Sequence, residues 1–337
     1  MNKKIMFTIL ISALICASAI ITYSFINKKD VATVSDTDYC LNTVCTLEIR
    51  GMDKNEAKKI IKNSFKLCKK YDNMLSRTDP GSEIYKINHA KGKFTKLNKD
   101  SLFLLTESLK MSSITEGRFD ISLGKLTNLW NITSDNPKVP KKKEVERLLP
   151  TVGYNNIQIK NTFVSLGRKG TWLDLGAIAK GYIGDKISHY MKKNGVKSAI
   201  INLSGNIIII GGKEKSKPWN IGIEAPYSNG RKIVTGVKVK NKSIVTSGVY
   251  ERYIEEKGKK YHHILDPKTG WPVQSDLLAV SIVGPVDKSW QCDALSTSCL
   301  LLGKTRAKRL MNGYPEFGFL TIDKNNKIET GGKWPEK

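Results

Sequence analysis

The stretch T-W-L-D-L-G-A-I-A-K-G-Y-I-G-D-K-I at 171–187 limits the fold of this chain more than any other segment. An apolar strand end, Trp172 and Leu173, runs into Asp174, and Gly176, Ala177, Ala179 and Gly181 keep the turn that follows thin. Ile183, Ile187 and Tyr190 then recur at helical spacing, so a strand hands over to a helix here. Such a turn lets backbone N–H groups come close to a ligand, with the positive end of a helix dipole behind them. Lys180 adds a full charge, and together they point to an anion. Asp174 would repel a bare phosphate. A ligand with both phosphates and a hydrogen-bonding ring suits the two residues, as does a metal-bridged phosphate. No G-K-[ST] follows and no G-x-G-x-x-G is present, which excludes a Walker loop and a dinucleotide fingerprint. For this piece taken alone, a Gly-rich junction that only packs tightly is the plain alternative.

Around the junction, strands and helices alternate without a βαβ rhythm. Tyr39–Arg50 reads as a strand. Asp53 with Glu56 is a capping-box pattern that opens a helix with Ala57, Ile61, Phe65, Cys68, Tyr71 and Leu75 on its apolar face. A second helix is expected over Asp100–Thr115. The junction helix runs to Asn194, where Gly195 stops it. The apolar run Ala199–Ile210 reads as one buried strand. Further strands are expected at Trp219–Glu224, Ile233–Val239, Ile244–Tyr253 and Lys260–Leu265. Helices at Asp287–Leu302 and Thr305–Asn312 and a hairpin through Asp323–Lys327 complete the chain. This mixture, with no internal repeat, points to the α+β class: mixed or antiparallel sheets with packed helices.

Asn2, Lys3 and Lys4 precede an uncharged, largely apolar stretch from Ile5 to Ile26, closed by Asn27-Lys28-Lys29-Asp30. A span of about 20 apolar residues crosses a bilayer, and a secretory signal cleaved after Ala17-Ser18-Ala19 also fits. Residues 1–30 are therefore expected to be a membrane anchor or a signal, 31–38 a polar linker and 39–337 the folded unit, placed outside the cytoplasm. Cys16 does not complete a lipoprotein site, because Ile15 stands where a small residue is needed. The 56 Lys and Arg against 31 Asp and Glu give a net charge of +25. That charge is spread along the chain and not interleaved with aromatics, so it reads as a solvated surface attracted to anionic membranes, with no nucleic-acid platform. The six cysteines follow no metal spacing. Cys40 and Cys45, five apart on one expected strand, face opposite sides. Cys68, Cys292 and Cys299 read as small buried residues in helices. A disulfide is permitted outside the cell but not demanded.

Two further constellations carry chemistry. In D-K-S-W-Q-C-D-A-L-S-T at 287–297, Asp293 and Thr297 stand four apart on one helix face. A carboxylate with a hydroxyl suits a hard cation, though two ligands make no site alone. A helix with one polar face explains the pair equally well. In Y-H-H-I-L-D-P-K-T-G at 261–270, His262 and His263 end an expected strand before a turn signal. Strand alternation turns one of them inward, where it could act as a general base or acid. An ordinary hairpin with one solvated histidine is the competing reading.

These segments, in this order, resemble the ApbE-type flavin transferases, from about Tyr39 to the C-terminus. The motifs are L-S-R-x-x-x-x-S-E-I at Leu75–Ile84 with Asn88 following, G-x-F-D-I-S at Gly117–Ser122 with Trp130 beyond, and L-D-L-G-A-I-A-K-G at Leu173–Gly181. I-N-L-S-G-N at Ile201–Asn206, T-S-G-x-Y at Thr246–Tyr250, H-H-I-L-D-P-x-T-G at His262–Gly270 and D-A-L-S-T at Asp293–Thr297 complete the set. The resemblance implies a single compact catalytic unit that moves FMN from FAD onto a Thr or Ser hydroxyl of an acceptor protein, with magnesium, and releases AMP. It implies FAD contacts at Arg118, Phe119, Asp120, Asp174, Lys180 and Ile264. It implies magnesium ligands at the carbonyl of Ala177, the carboxylate of Asp293 and the hydroxyl of Thr297. His263 is the expected proton acceptor, with His262 as the alternative. The acceptor is expected to be an exported or membrane-bound electron-transfer protein. Two departures from the family pattern stand out: Ser204 replaces a glycine and Lys125 a common proline. An FAD pyrophosphatase and a non-catalytic flavin-binding protein are the rival readings, and the intact Asp293/Thr297 pair argues against the second.

Overall fold

A computed structural model describes residues 31–134, 137–167, 170–213, 216–228 and 230–335. The apolar segment at 5–26 lies outside the described residues. Strand β1 (Val31–Cys40) pairs antiparallel with β2 (Thr43–Asp53) along its whole length. The expected linker at 31–38 is therefore part of a strand. Its polar composition suits a sheet edge, where side chains such as Ser35 and Asp36 face water while Val34 turns in. Nor is Tyr39–Arg50 one strand. The chain reverses at Leu41 and Asn42, whose φ angles of 57° and 54° make the primed type of hairpin turn.

Helix α1 (Lys54–Leu75) starts where the Asp53 carboxylate accepts from the amides of Asn55 and Glu56, and its six expected apolar positions are all buried. After α2 (Glu83–His89), β3 (Thr95–Lys96), α3 (Lys99–Ile114), α4 (Gly124–Trp130) and α5 (Lys142–Leu148), a small ribbon forms from β4 (Ile157–Lys160) and β5 (Phe163–Leu166). The junction helix α6 (Ala179–Lys193) follows. The run expected as one strand at Ala199–Ile210 is two, β6 (Ala199–Asn202) and β7 (Asn206–Ile210), paired antiparallel. Ser204 and Gly205, at φ 55° and 87°, turn the chain back between them. The glycine missing from the family pattern is thus a left-handed position, which serine occupies at a steric penalty.

Beyond β8 (Trp219–Glu224) and β9 (Ile233–Val239) come β10 (Lys242–Gly248), β11 (Tyr253–Glu256) and β12 (Lys259–His262). The expected strands here end early, which leaves His263 off the strand. β13 (Leu277–Pro285), α7 (Ser289–Leu302), α8 (Lys304–Asn312), β14 (Gly318–Asp323) and β15 (Ile328–Gly332) close the fold. The main sheet runs β1-β2-β6-β7-β10-β13-β14-β15, every pair antiparallel. Strand alternation sends Ile208, Val245, Val280 and Ile282 to one face, under α1, α6 and α7. Ile209, Ile244, Ala279 and Val283 point the other way, under the β8–β9 ribbon. The fold is α+β, with antiparallel sheets and packed helices.

Candidate functional site

The junction is held from three sides. Asn88 clamps Leu173, its Oδ1 accepting from the Leu173 amide at 2.6 Å and its Nδ2 donating to the Leu173 carbonyl at 3.0 Å. The Asp174 amide donates to the Ile121 carbonyl at 2.8 Å. The Asp174 carboxylate then accepts from the Gly176 amide at 2.8 Å and from Arg77 Nε at 3.0 Å. Lys180 Nζ reaches the carbonyl of Ser204 at 3.3 Å.

Helices α6 and α7 cap each other. No side chain of its own segment caps α6; instead Asp293 of α7 accepts from the Gly181 amide at 2.8 Å. Asp185 of α6 in turn accepts from the amides of Ser289 and Trp290 at the start of α7, at 3.0 and 2.9 Å. Each carboxylate sits at the positive end of the other helix. The crossing is close enough that a Cβ on Gly181 would stand 2.3 Å from the Ser289 carbonyl oxygen.

A cavity of about 330 Å³ opens over this crossing. Asp174, Ala177, Lys180, Asp293 and Thr297 line it, with His263, Ile264, Phe119 and Asp120 from other elements. Of the site residues expected from sequence, Arg118 and the alternative base His262 do not line it, and Arg118 faces elsewhere. It lines the neighbouring groove and pairs with Asp266 at 2.8 Å, bracing the turn after the histidines. Trp130 braces the same turn, its Nε1 donating to the Gly270 carbonyl at 2.8 Å. The Asp120 oxygens are occupied within the protein, accepting from Ser122 and from the Tyr154 amide, so this residue shapes the wall. Arg77, Ser247, Glu251 and Arg252 also line the cavity, although no sequence role was assigned to them. Arg77 was visible as the arginine of the L-S-R motif; its partner Asp174 lies 97 residues away, and no spacing reveals that.

The two histidines differ in their environments. His262 is buried, its Nε2 donating to the Val273 carbonyl at 3.1 Å and its Nδ1 accepting from the Ile264 amide. His263 lines the cavity, and its Nδ1 lies 3.2 Å from the Arg252 carbonyl. A carbonyl only accepts, so the proton sits on Nδ1 and Nε2 keeps a lone pair. Burial first, and then the Arg252 charge, pulls the His263 pKa down to about 3, so the ring is neutral near pH 7.

The donors suit a hard cation. Asp293 is 4% exposed, and burial raises its carboxyl above the usual range, a penalty that a bound cation would offset. Thr297 Oγ1 sits 3.1 Å from Ser247 Oγ, and both line the cavity. The buried Asn206 side chain lies beside Asp293, and its hydrogen bond partly offsets the rise that burial causes there. The cavity wall carries the carboxylates of Asp72, Asp120, Asp174, Glu251 and Asp293 against the cations Arg77, Lys180 and Arg252. No group of three or more His, Cys, Asp or Glu able to hold a metal occurs among the described residues. A single carboxylate with neutral oxygens fits an ion that shares its shell with substrate phosphates and water.

The ApbE family profile matches residues 41–319. A FAD:protein FMN transferase of Treponema pallidum (strain Nichols) is 31% identical over 320 residues, covering 89% of this chain and 87% of the relative. One of Klebsiella pneumoniae (strain 342) is 31% identical over 267 residues, covering 78% and 82%. The crystal structure of an ApbE protein from Thermotoga maritima superposes with a TM-score of 0.80 at 28% identity, covering 88% of this chain and 96% of that one. The flavin transferase ApbE from Vibrio cholerae shares the fold at a TM-score of 0.79 and 22% identity, covering 89% and 97%. With the profile spanning most of its length, this chain belongs to the ApbE family.

Proposed function

We propose that the chain transfers the FMN half of FAD onto a serine or threonine hydroxyl of an acceptor protein, releasing AMP, with magnesium as the metal. The name shared by its relatives, FAD:protein FMN transferase, supports the reading. The observation that carries it is the cavity itself, in which His263, the Asp293–Thr297 pair and the Asp174 turn share one space. In the transfer, the acceptor oxygen bonds to the FMN-side phosphorus as the phosphoanhydride bond to AMP breaks. His263 Nε2 takes the hydroxyl proton. Lys180, Arg77 and Arg252 supply positive charge for the phosphates, and the walls at Phe119 and Ile264 offer apolar surface to the flavin. The Ala177 carbonyl, Asp293 and Thr297 would hold magnesium, which when bound neutralises pyrophosphate oxygens.

The pattern of 1–30 supports a site outside the cytoplasm, tethered or secreted, and an acceptor that is an exported or membrane-bound electron-transfer protein. The test incubates the full chain with FAD, magnesium and candidate acceptors, then reads flavin fluorescence on a denaturing gel. Fluorescence that stays with the acceptor after denaturation is the expected result. FMN and AMP released with no labelled acceptor would make the chain an FAD pyrophosphatase instead.

A further inference from the structure

Three thiols that the proposed chemistry does not use gather where the β1–β2 tip meets α1. Cys40 ends β1, Cys45 stands on β2 and Cys68 on α1, and all three are buried. They are not split between two faces of one strand, as the sequence suggests, because the chain turns back between the first two. Cys68 Sγ lies 3.1 Å from Cys40 Sγ. A disulfide is about 2.05 Å long, so roughly 1 Å of closure joins them. Cys45 is placed differently. Its Sγ donates to the Cys40 carbonyl at 3.6 Å, and the register pairs Cys40 with Thr43 and Cys45 with Asp38. Cys40 and Cys45 are therefore diagonal neighbours, about 7–8 Å apart at Cα and past the usual reach of a disulfide.

We propose that Cys40 and Cys68 form a disulfide that fixes the β1–β2 tip to α1 as one wall of the cavity. The tip residues Leu41 and Asn42 line that cavity, as do Asp72, Leu75, Ser76 and Arg77 from the end of α1 and just beyond it. The ties between this region and the helix are otherwise polar: the Leu41 amide donates to Asp72 Oδ2 at 2.9 Å, and Lys69 Nζ pairs with Asp38 Oδ2 at 2.6 Å. The disulfide adds a covalent tie a turn earlier on α1. The oxidant is a small or protein-borne disulfide. The Cys40 thiolate attacks one of its sulfurs and expels a thiolate; the Cys68 sulfur then displaces the second, so that two S–H bonds are replaced by one S–S bond and two thiols leave. Cys40 is the first nucleophile, because the neighbouring thiols of Cys45 and Cys68 pull its pKa below the ordinary thiol value, and Cys68 Sγ donates to its sulfur at 3.1 Å. Its place beside an exposed turn gives access when the tip opens. The bond itself does not depend on the transferase reading, but its description as a flavin-pocket wall does.

The test equilibrates the purified full chain with oxidised and reduced glutathione and maps tryptic peptides without reduction. The expected result is peptide 30–50 joined to peptide 67–69, retained in Cys45→Ser and lost in Cys40→Ser. The melting midpoint of oxidised protein should exceed that of reduced protein by about 3–8 °C, and the difference should vanish in Cys68→Ser. The proposal is overturned if oxidised wild type yields no joined peptide, if the joint survives in Cys40→Ser, or if oxidation leaves the midpoint unchanged. All of these readouts are independent of flavin transfer.

Discussion

At the scale of single residues, hydrogen-bond direction separates two adjacent histidines better than strand alternation can. His262 uses both ring nitrogens to fasten the turn, whereas His263 bonds the Arg252 carbonyl through Nδ1 and lines the cavity. His263→Ala should therefore lower transfer by about 10² to 10⁴ while FAD still binds. His262→Ala should instead lower the melting midpoint, because it removes two buried hydrogen bonds. Rates measured against FAD concentration, beside thermal melts of both variants, check this; a His263 defect that vanishes at saturating FAD would reduce the residue to nucleotide binding. Thr297→Val removes one neutral oxygen and keeps the shape of α7. It should raise the magnesium needed for half-maximal rate on the order of tenfold, and Asp293→Ala should abolish turnover. Chelator-insensitive activity of the unmutated chain would refute the metal assignment.

At the scale of elements, the reciprocal caps of α6 and α7 carry a pH dependence. Burial raises the Asp185 carboxyl to about 7 from an ordinary value of 3.8. Between those limits the native state holds a proton that the unfolded chain has released, so the contribution is favourable at low pH and lost as pH rises. Asp185→Asn cannot titrate. The melting midpoint of wild type relative to this variant should fall from pH 4 to 7 and level off above; a flat difference over that window would show that Asp185 carries no such proton. These caps were not legible in the sequence, since each joins residues more than 100 positions apart. Local signals were legible. The Asp53 cap and the alternating strands β8 and β9 stood where spacing put them. Two chain reversals were not: Leu41–Asn42 carries no turn signature, and the Ser204–Gly205 reversal hid inside an apolar run. β13, apolar on both faces, had no period to announce it and was assigned no element.

At the scale of the whole molecule, eight antiparallel strands bring the Asp174 turn, the histidine turn and the start of α7 around one cavity, although they span more than 100 residues of chain. If 1–30 anchors the protein, protease added to intact cells should cleave the folded unit; protection with recovery in the cytosol would refute export. The strand β1 then acquires another meaning. Its residues are hydrogen-bonded into the sheet from Val31 onward, and its far end carries Leu41 and Asn42 into the cavity wall. Ten residues at about 3.3 Å each make a stiff rod of roughly 33 Å, which would separate such an anchor from the cavity. Behind an anchor, such a rod would act as a ruler. It would select acceptors whose hydroxyl is presented at one height above the bilayer, whatever their local sequence. Inserting a flexible Gly/Ser segment of about 20 residues before Val31 should leave transfer to a soluble acceptor unchanged and relax the choice among membrane-bound ones. Unchanged preference after the insertion would mean that the acceptor, and not the tether, sets the distance.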